Sequence, residues 1–173
     1  MILKEKLQEA LNNQLNAESF SAYLYLSMSA YFKAMNLDGF ANWMYVQGQE
    51  EVTHAKKIYD FILRRGGLVK LGQIEAPKNH WESHIDAFSD AYDHEQLISS
   101  KINDLMELAV IEKDHATQIF LQWFVTEQVE EEENVGGIFN QLKLLEGSKD
   151  GLILMDRELG QRKFIPTAPV TGE

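Results

Sequence analysis

A chain of 173 residues without a single cysteine can bury one sizeable core, and disulfides, zinc-thiolate sites, iron-sulfur ligation and thiol catalysis are all closed to it. Its 27 acids against 16 lysines and arginines give a formal net charge of -11. That balance argues against nucleic-acid binding, which rests on cations displacing counterions from phosphate, and favours metal cations as partners.

The start, Met1-Ile-Leu-Lys-Glu-Lys, breaks into charge at once, unlike a secretory signal. The longest apolar-rich run, Ala22 to Phe32, is interrupted by Ser27 and Ser29 and is too short to span a bilayer. A soluble, cytoplasmic protein with no membrane partner is expected.

Prolines stand only at 77, 166 and 169, which favours long helices over many short strands. The first helix is expected from about Lys4 to Lys33, with Leu7, Leu11, Leu15, Glu18, Ala22, Tyr25, Ser29 and Phe32 inward at steps of three or four. After a turn through Ala34 to Leu37, Asp38 is the expected N-cap of a second helix. That helix carries Phe40, Trp43, Gln47, Glu51, His54, Ile58 and Phe61 on one face and stops at Gly66-Gly67. A turn this short makes the two helices antiparallel neighbours.

Residues 66–83 hold glycines and Pro77 without a sustained helical period and read as a crossover. The third helix starts near Ser83 to Asp86, presents Phe88, Ala91, Glu95, Ile98, Ile102, Leu105 and Ala109 inward, and ends around Lys113. The fourth begins beside Asp114 and presents Ala116, Phe120, Trp123, Glu127, Glu131, Asn134, Ile138, Leu142 and Leu145 before Gly147. Within it, Gly136-Gly137 costs roughly 1 kcal/mol per residue, so a kink or break is expected there. A short fifth helix from about Asp150 to Leu159 has Leu152, Ile153 and Met155 to bury. The predicted architecture is all-α: a four-helix bundle with one long crossover and a short fifth helix, in a single domain over 1–160, with 161–173 an extended tail.

Each of the four long stripes carries an acid near its middle: Glu18, Glu51, Glu95 and Glu131, with His54 one turn after Glu51. Central positions meet at one level whether helices run parallel or antiparallel. A carboxylate left alone in a core costs several kcal/mol. No lysine or arginine stands between Lys6 and Lys33, or between Lys113 and Lys143, so the compensating charge has to come from outside the chain. Two divalent ions neutralise four carboxylates around a neutral imidazole. Oxygen and imidazole donors suit iron, manganese or zinc without choosing among them. In the run Glu130-Glu131-Glu132-Glu133, the stripe selects Glu131 as inward. Glu130 then lies beside it, within reach of Glu50 and Glu127, which suggests a secondary cation site at the rim.

These residues resemble the ferritin-like di-iron carboxylate proteins, which place lone Glu ligands on two helices and Glu-x-x-His on the other two. The lone acids are Glu18 and Glu95, and Glu51-Val-Thr-His54 is one complete motif; the other reads Glu131-Glu-Glu-Asn134, without its histidine. Bacterioferritins and rubrerythrin-like oxidases generally keep that histidine, whereas non-haem ferritins lack it. The stretches Gln49-Glu-Glu-Val-Thr-His54, His94-Glu-Gln-Leu-Ile98, Phe120-Leu-Gln-Trp-Phe124 and Glu127-Gln-Val-Glu-Glu-Glu132 are similar to prokaryotic non-haem ferritin, and the resemblance runs from Leu7 to about Leu159.

The resemblance implies a first iron at Glu18, Glu51 and His54, and a second at Glu51, Glu95 and Glu131, with Glu51 bridging and Gln128 nearby. It implies a third site of Glu50, Glu127 and Glu130 with Glu131. It makes Tyr25 a candidate electron donor beside the centre, with a core aromatic as the alternative. It further implies oxidation of Fe(II) by O2 or peroxide, and a homo-oligomeric shell of about 24 subunits around a ferric mineral. No haem is expected, because Val52 stands where bacterioferritin has its haem-binding methionine. The alternative is a di-metal oxidase or peroxidase of rubrerythrin-like type that stores no mineral. His80, His84, His94 and His115 fit no ligand spacing with the acids and are expected at the surface or in packing roles. Trp43, Trp81 and Trp123 are expected as core or interface anchors.

Overall fold

The computed structural model describes residues 3–166. Five helices follow one another: α1 (Glu5–Ala34), α2 (Asp38–Arg64), α3 (His84–Ile111), α4 (His115–Leu144) and α5 (Lys149–Leu159). The expected four-helix bundle with one crossover and a fifth helix is the fold observed. Of the expected tail, Pro166 is the last described residue and no helix or strand is assigned from Arg162 to it; 167–173 lie outside the described residues.

Each long helix ends on a residue in the left-handed region, where the chain reverses: Asn36 at φ 59°, Gly66 at 67°, Lys113 at 54° and Gly147 at 81°. These conformations let the last amides close back on the helix carbonyls, as Leu37 N does on Phe32 O and Asp114 N on Ala109 O. The core then divides in two. One apolar cluster gathers Met28, Phe32, Phe40, Trp43, Phe88, Val135 and Leu142; the other gathers Leu7, Leu11, Ile58, Ile62, Ile102, Leu121 and Phe124. Read along the chain, α1 and α4 run from the second cluster to the first, and α2 and α3 run the opposite way. Helices α2 and α3 are therefore parallel, and the connection between them must return the full length of the bundle. At roughly 3.3 Å per residue an extended connection of this length covers the roughly 42 Å of such a helix.

Polar residues of α1 hold the crossover along its course. Leu68 N donates to Gln8 Oε1 (2.7 Å), Lys70 N to Asn12 Oδ1 (2.6 Å), Asn16 Nδ2 to Gln73 O (3.1 Å) and Ser27 Oγ to Lys78 O (2.8 Å). The strap ends on Trp81, which is buried and donates from its indole to Asp90 Oδ2 at 2.8 Å.

Several local expectations are corrected. Asp38 is the first residue of α2, not its cap; it pairs with Lys33 Nζ at 2.8 Å. The free amides of that first turn are met from α5: Asp156 Oδ1 accepts from Gly39 N (2.8 Å) and Phe40 N (3.0 Å). A Cβ on Gly39 would lie 1.5 Å from Asp156 O, so only glycine lets α5 dock there. No break occurs at Gly136-Gly137, and α4 is continuous through them. The Tyr92 ring fills the space that a side chain at Gly136 would need, 3.0 Å from its Cβ position.

The stripe on α4 is set one residue away from the expected one over its first half. Thr117, Leu121, Phe124, Gln128, Glu131 and Val135 are buried, while Ala116, Phe120, Trp123 and Glu127 are half-buried and Asn134 is exposed. Partners explain the exchange: Thr117 and Gln128 go inward because they find hydrogen bonds there. Phe120 lies flat on Phe61, centroids 3.9 Å apart. On α1, Ser21 and Met28 are buried in place of Ala22 and Ser29, which are half-buried. On α5 only Met155 is buried, and Ile153 is exposed.

Asp114 ties the two helix hairpins together. Its carboxylate caps α4 by accepting from Thr117 N at 3.0 Å and takes both Nη atoms of Arg65 at 3.0 and 2.8 Å. The Arg65 guanidinium holds this carboxyl down to about 2 from the ordinary 3.8. Asp114→Ala removes a cap and takes one charged partner from a largely buried guanidinium, a cost of about 2 to 3 kcal/mol at neutral pH. A depressed folded pKa gives stability that is present above the ordinary value and lost as pH falls through the folded one. The gap in unfolding free energy between parent and D114A is therefore expected to shrink as pH drops from 3.8 through about 2, measured by denaturant unfolding; a gap that widens on acidification contradicts this account.

Candidate metal centre

Between the two apolar clusters lies a polar layer to which all four long helices contribute. Glu18 of α1, Glu51 and His54 of α2, Glu95 of α3, and Gln128 and Glu131 of α4 are all buried, as is Tyr25 of α1. The four acids expected to converge do so. His54 Nδ1 stands 3.4 Å from Glu51 Oε2 and 4.0 Å from Glu18 Oε2, and ligand atoms of Glu18, Glu51 and His54 all lie within 4.8 Å of one another. Glu95 joins through Tyr25, whose hydroxyl donates to Glu95 Oε1, and through Gln128 Nε2, which donates to Glu95 Oε2 at 3.1 Å.

Neutral amides hold three further carboxylate oxygens. Gln14 Nε2 donates to Glu18 Oε1 at 2.8 Å, and Gln47 Nε2 donates both to Glu51 Oε1 at 3.1 Å and to Glu131 Oε2 at 2.7 Å, joining α2 to α4. Gln14 and Gln47 each stand four residues before the acid they bind. That spacing puts them on the acid's own face, and it is the sequence signal by which they could have been found. Gln47 is in the expected stripe without an assigned role; Gln14 is not anticipated at all.

The layer remains short of positive charge. Among the described residues, no lysine or arginine forms an ion pair with any of the four acids; His54 is the basic group at Glu18 and Glu51. Burial pushes Glu18, Glu51 and Glu131 well above the ordinary carboxylate range, and neighbouring carboxylates push them further. Glu95 is raised by burial too, against the hydrogen bonds from Tyr25 and Gln128. Among the described residues, two buried atoms, Glu18 Oε2 and Gln47 Oε1, have no hydrogen-bond partner. An unpartnered buried carboxylate oxygen beside an imidazole nitrogen is the donor arrangement a divalent cation completes.

The rim is more open. Glu50 and Glu127 are half-buried and Glu130 is exposed. Glu127 Oε1 stands 3.8 Å from His54 Nε2, so the two nitrogens of one imidazole face the buried acids and the rim respectively. Ligand atoms of His54, Glu127 and Glu131 also lie within 4.8 Å of one another. Glu127 thus faces the outer nitrogen of the ring at a distance beyond hydrogen-bond length. Trp123 covers His54 edge-on, centroids 5.3 Å apart, and carries Lys57 Nζ 4.4 Å above its own ring. His94 has a packing role: it is buried, pairs with Ser21 Oγ at 2.8 Å, and is pushed down to about 4 by burial. His80 and His115 are exposed, His84 is half-buried, and Trp43 and Trp81 are buried.

The ferritin-like domain family model matches residues 8–145. A bacterial non-heme ferritin of Bacteroides fragilis is 42% identical over 161 residues, covering 93% of this chain and 100% of that protein. One of Staphylococcus aureus is 39% identical over 163 residues, covering 94% and 98%. The open pore ferritin of the hyperthermophilic archaeon Archaeoglobus fulgidus superposes with a TM-score of 0.92 at 50% identity, covering 93% of this chain and 99% of that one.

Because the layer's acids titrate above their ordinary value when metal-free, their protonated forms favour the folded state. That contribution is full below the ordinary carboxylate value and is lost as pH rises through the raised folded values. The chelator-treated protein is therefore expected to unfold at a lower temperature at about pH 8 than at about pH 5, and a divalent cation is expected to remove the difference. Thermal unfolding followed by circular dichroism checks this; metal-free stability that rises with pH over that range would contradict it.

Proposed function

The chain belongs to the ferritin-like family, and from that premise we propose that it is an iron-storage ferritin with ferroxidase activity. The observation that carries this reading is the buried layer itself: four carboxylates and one imidazole from four helices, held by neutral amides, with Glu18 Oε2 left unpartnered. Fe(II) is the substrate. One ion is held by Glu18, Glu51 and His54 and a second by Glu51, Glu95 and Glu131, with Glu51 between them and Gln128 steadying Glu95. The two ions give one electron each, two in all; with two protons these take O2 to hydrogen peroxide. Carboxylates favour the harder, more highly charged Fe(III), so the donor set itself drives the oxidation.

Tyr25 has its phenol on Glu95, and burial with the adjacent carboxylate raises its pKa well above the ordinary value, keeping it protonated. It steadies Glu95, a ligand of the second ion, and stands beside the centre as a candidate electron donor on which the two-electron step does not draw. Glu50, Glu127 and Glu130 form a rim site through which ferric product leaves the layer. No haem is assigned, since Val52 is an exposed valine on α2.

Ferric product needs a closed space in which to accumulate, and a single bundle has none. The outer face of α1 and α2 leaves Tyr23, Leu26, Tyr45 and Val52 exposed, an apolar patch that supports self-association into a homo-oligomeric shell, which we take to be of about 24 subunits. No helix among the described residues is long and apolar enough to cross a membrane, and the assembly is assigned to the cytoplasm. The rubrerythrin-like alternative is left without a supporting observation.

Glu51→Gln is expected to slow aerobic Fe(II) oxidation by about 100-fold or more, because it removes the shared ligand, while circular dichroism stays that of the parent. Oxidation at the parent rate would sink the assignment. In a companion measurement, the aerobically loaded parent is expected to run as a particle of about 24 subunits retaining on the order of hundreds of irons. A monomer or dimer holding two irons would instead make it a di-metal oxidase.

A further inference from the structure

One arginine reaches the rim acids from the far end of the chain. Arg162 lies just beyond α5, and its Nη2 donates to Glu50 Oε2 at 2.5 Å. The same guanidinium lies over the Trp43 ring, 4.4 Å from its centroid, and Nη1 donates to Trp43 O at 3.5 Å. Its backbone is held as well: Asn42 Nδ2 donates to Arg162 O at 3.0 Å. Upstream, α5 is fixed to the start of α2 through Asp156 and the close approach at Gly39. The arginine is thus delivered by a built strap that runs from α5 across the start of α2. Glu50 in turn feels the charges of Glu127 and Glu130, so the guanidinium occupies ground where a rim cation would be attracted.

We propose that Arg162 is a built-in counter-ion for Glu50 that a divalent cation must displace to bind Glu50, Glu127 and Glu130, so that the C-terminal strap sets the affinity of the rim site. This rests on the reading of those three acids as a rim site. A guanidinium does not deprotonate near neutral pH, so the competition operates at every working pH. Once displaced it still has the face of Trp43 to lie on, where a cation is attracted to the ring. The competitor is therefore never far away, and it keeps the rim weak, which suits a place that ions cross and do not stay in. The buried pair of positions has no such competitor, and its affinity is independent of the strap.

The test uses Zn(II), which undergoes no redox chemistry, titrated calorimetrically into the metal-free assembled protein. Two tight sites and one weaker class per subunit are expected. Arg162→Gln is expected to tighten the weaker class by about fivefold, the scale of a partly exposed ion pair, and to leave the tight sites unchanged. Arg162→Lys keeps the charge and is expected to stay near the parent. In the Glu50→Gln background, Arg162→Gln is expected to have no effect, because the ion pair through which it acts is already gone. Two outcomes overturn the strap while keeping the rim site: Glu50→Gln weakens the weaker class but Arg162→Gln leaves it unchanged, or Arg162→Gln tightens binding equally with and without Glu50. If Glu50→Gln changes nothing, or no weaker class is seen, the rim site falls and the strap falls with it. Loss of assembly in R162Q but not R162K would make Arg162 a structural anchor and also overturn the proposal.

Discussion

Burying four carboxylates in one layer is the constraint on which the rest of the structure depends. Each loses its water, and the chain answers with hydrogen bonds from neutral groups: Gln14 to Glu18, Gln47 to Glu51 and Glu131, Gln128 and Tyr25 to Glu95. A neutral donor fixes the direction of a carboxylate without cancelling its charge. A lysine or arginine in the same place would stabilise the metal-free layer more and would also exclude the metal. The layer is thereby preorganised and left electrostatically incomplete, and either protons or metal ions can complete it.

The two apolar clusters offset that cost. They sit above and below the layer, so the helices need length on both sides of it. A bundle of this length with parallel α2 and α3 requires the long crossover, and the crossover in turn requires partners for its backbone, which Gln8, Asn12, Asn16 and Ser27 of α1 supply. The shape of the bundle and the polar residues that α1 turns to the crossover thus follow from the same demand that places the acids at mid-height.

The periodic part of this was legible in the sequence. The faces expected on α2 and α3 are buried residue for residue, because apolar and acidic positions there share one unambiguous stripe. On α4 the stripe could be drawn through Phe120, Trp123 and Glu127 or through Leu121, Phe124 and Gln128. Hydrophobicity alone does not choose between them, and tertiary partners do: Arg65 for Thr117, Glu95 for Gln128. The same limit hid the cap of α2. A sequence suggests the nearest Asp, whereas the fold brings Asp156 from more than a hundred residues away. Arg162 escaped for that reason as well, since the spacing of basic residues along the chain says nothing about what a docked C-terminal helix carries back.

The missing histidine of α4 takes on a different meaning in three dimensions. Asn134 is exposed, so the α4 side of the layer is completed by Gln47 and Gln128, not by the residue at 134. That leaves a single imidazole to serve the whole centre, and its two nitrogens are divided between Glu51 on one side and Glu127 on the other. A ring placed in this way turns one nitrogen to the buried acids and the other to the rim, where Glu127 Oε1 stands 3.8 Å away, beyond hydrogen-bond length but near enough to feel the ring's charge. Of these rim acids, Glu50 is held directly by Arg162, while Glu127 faces the imidazole across a longer gap.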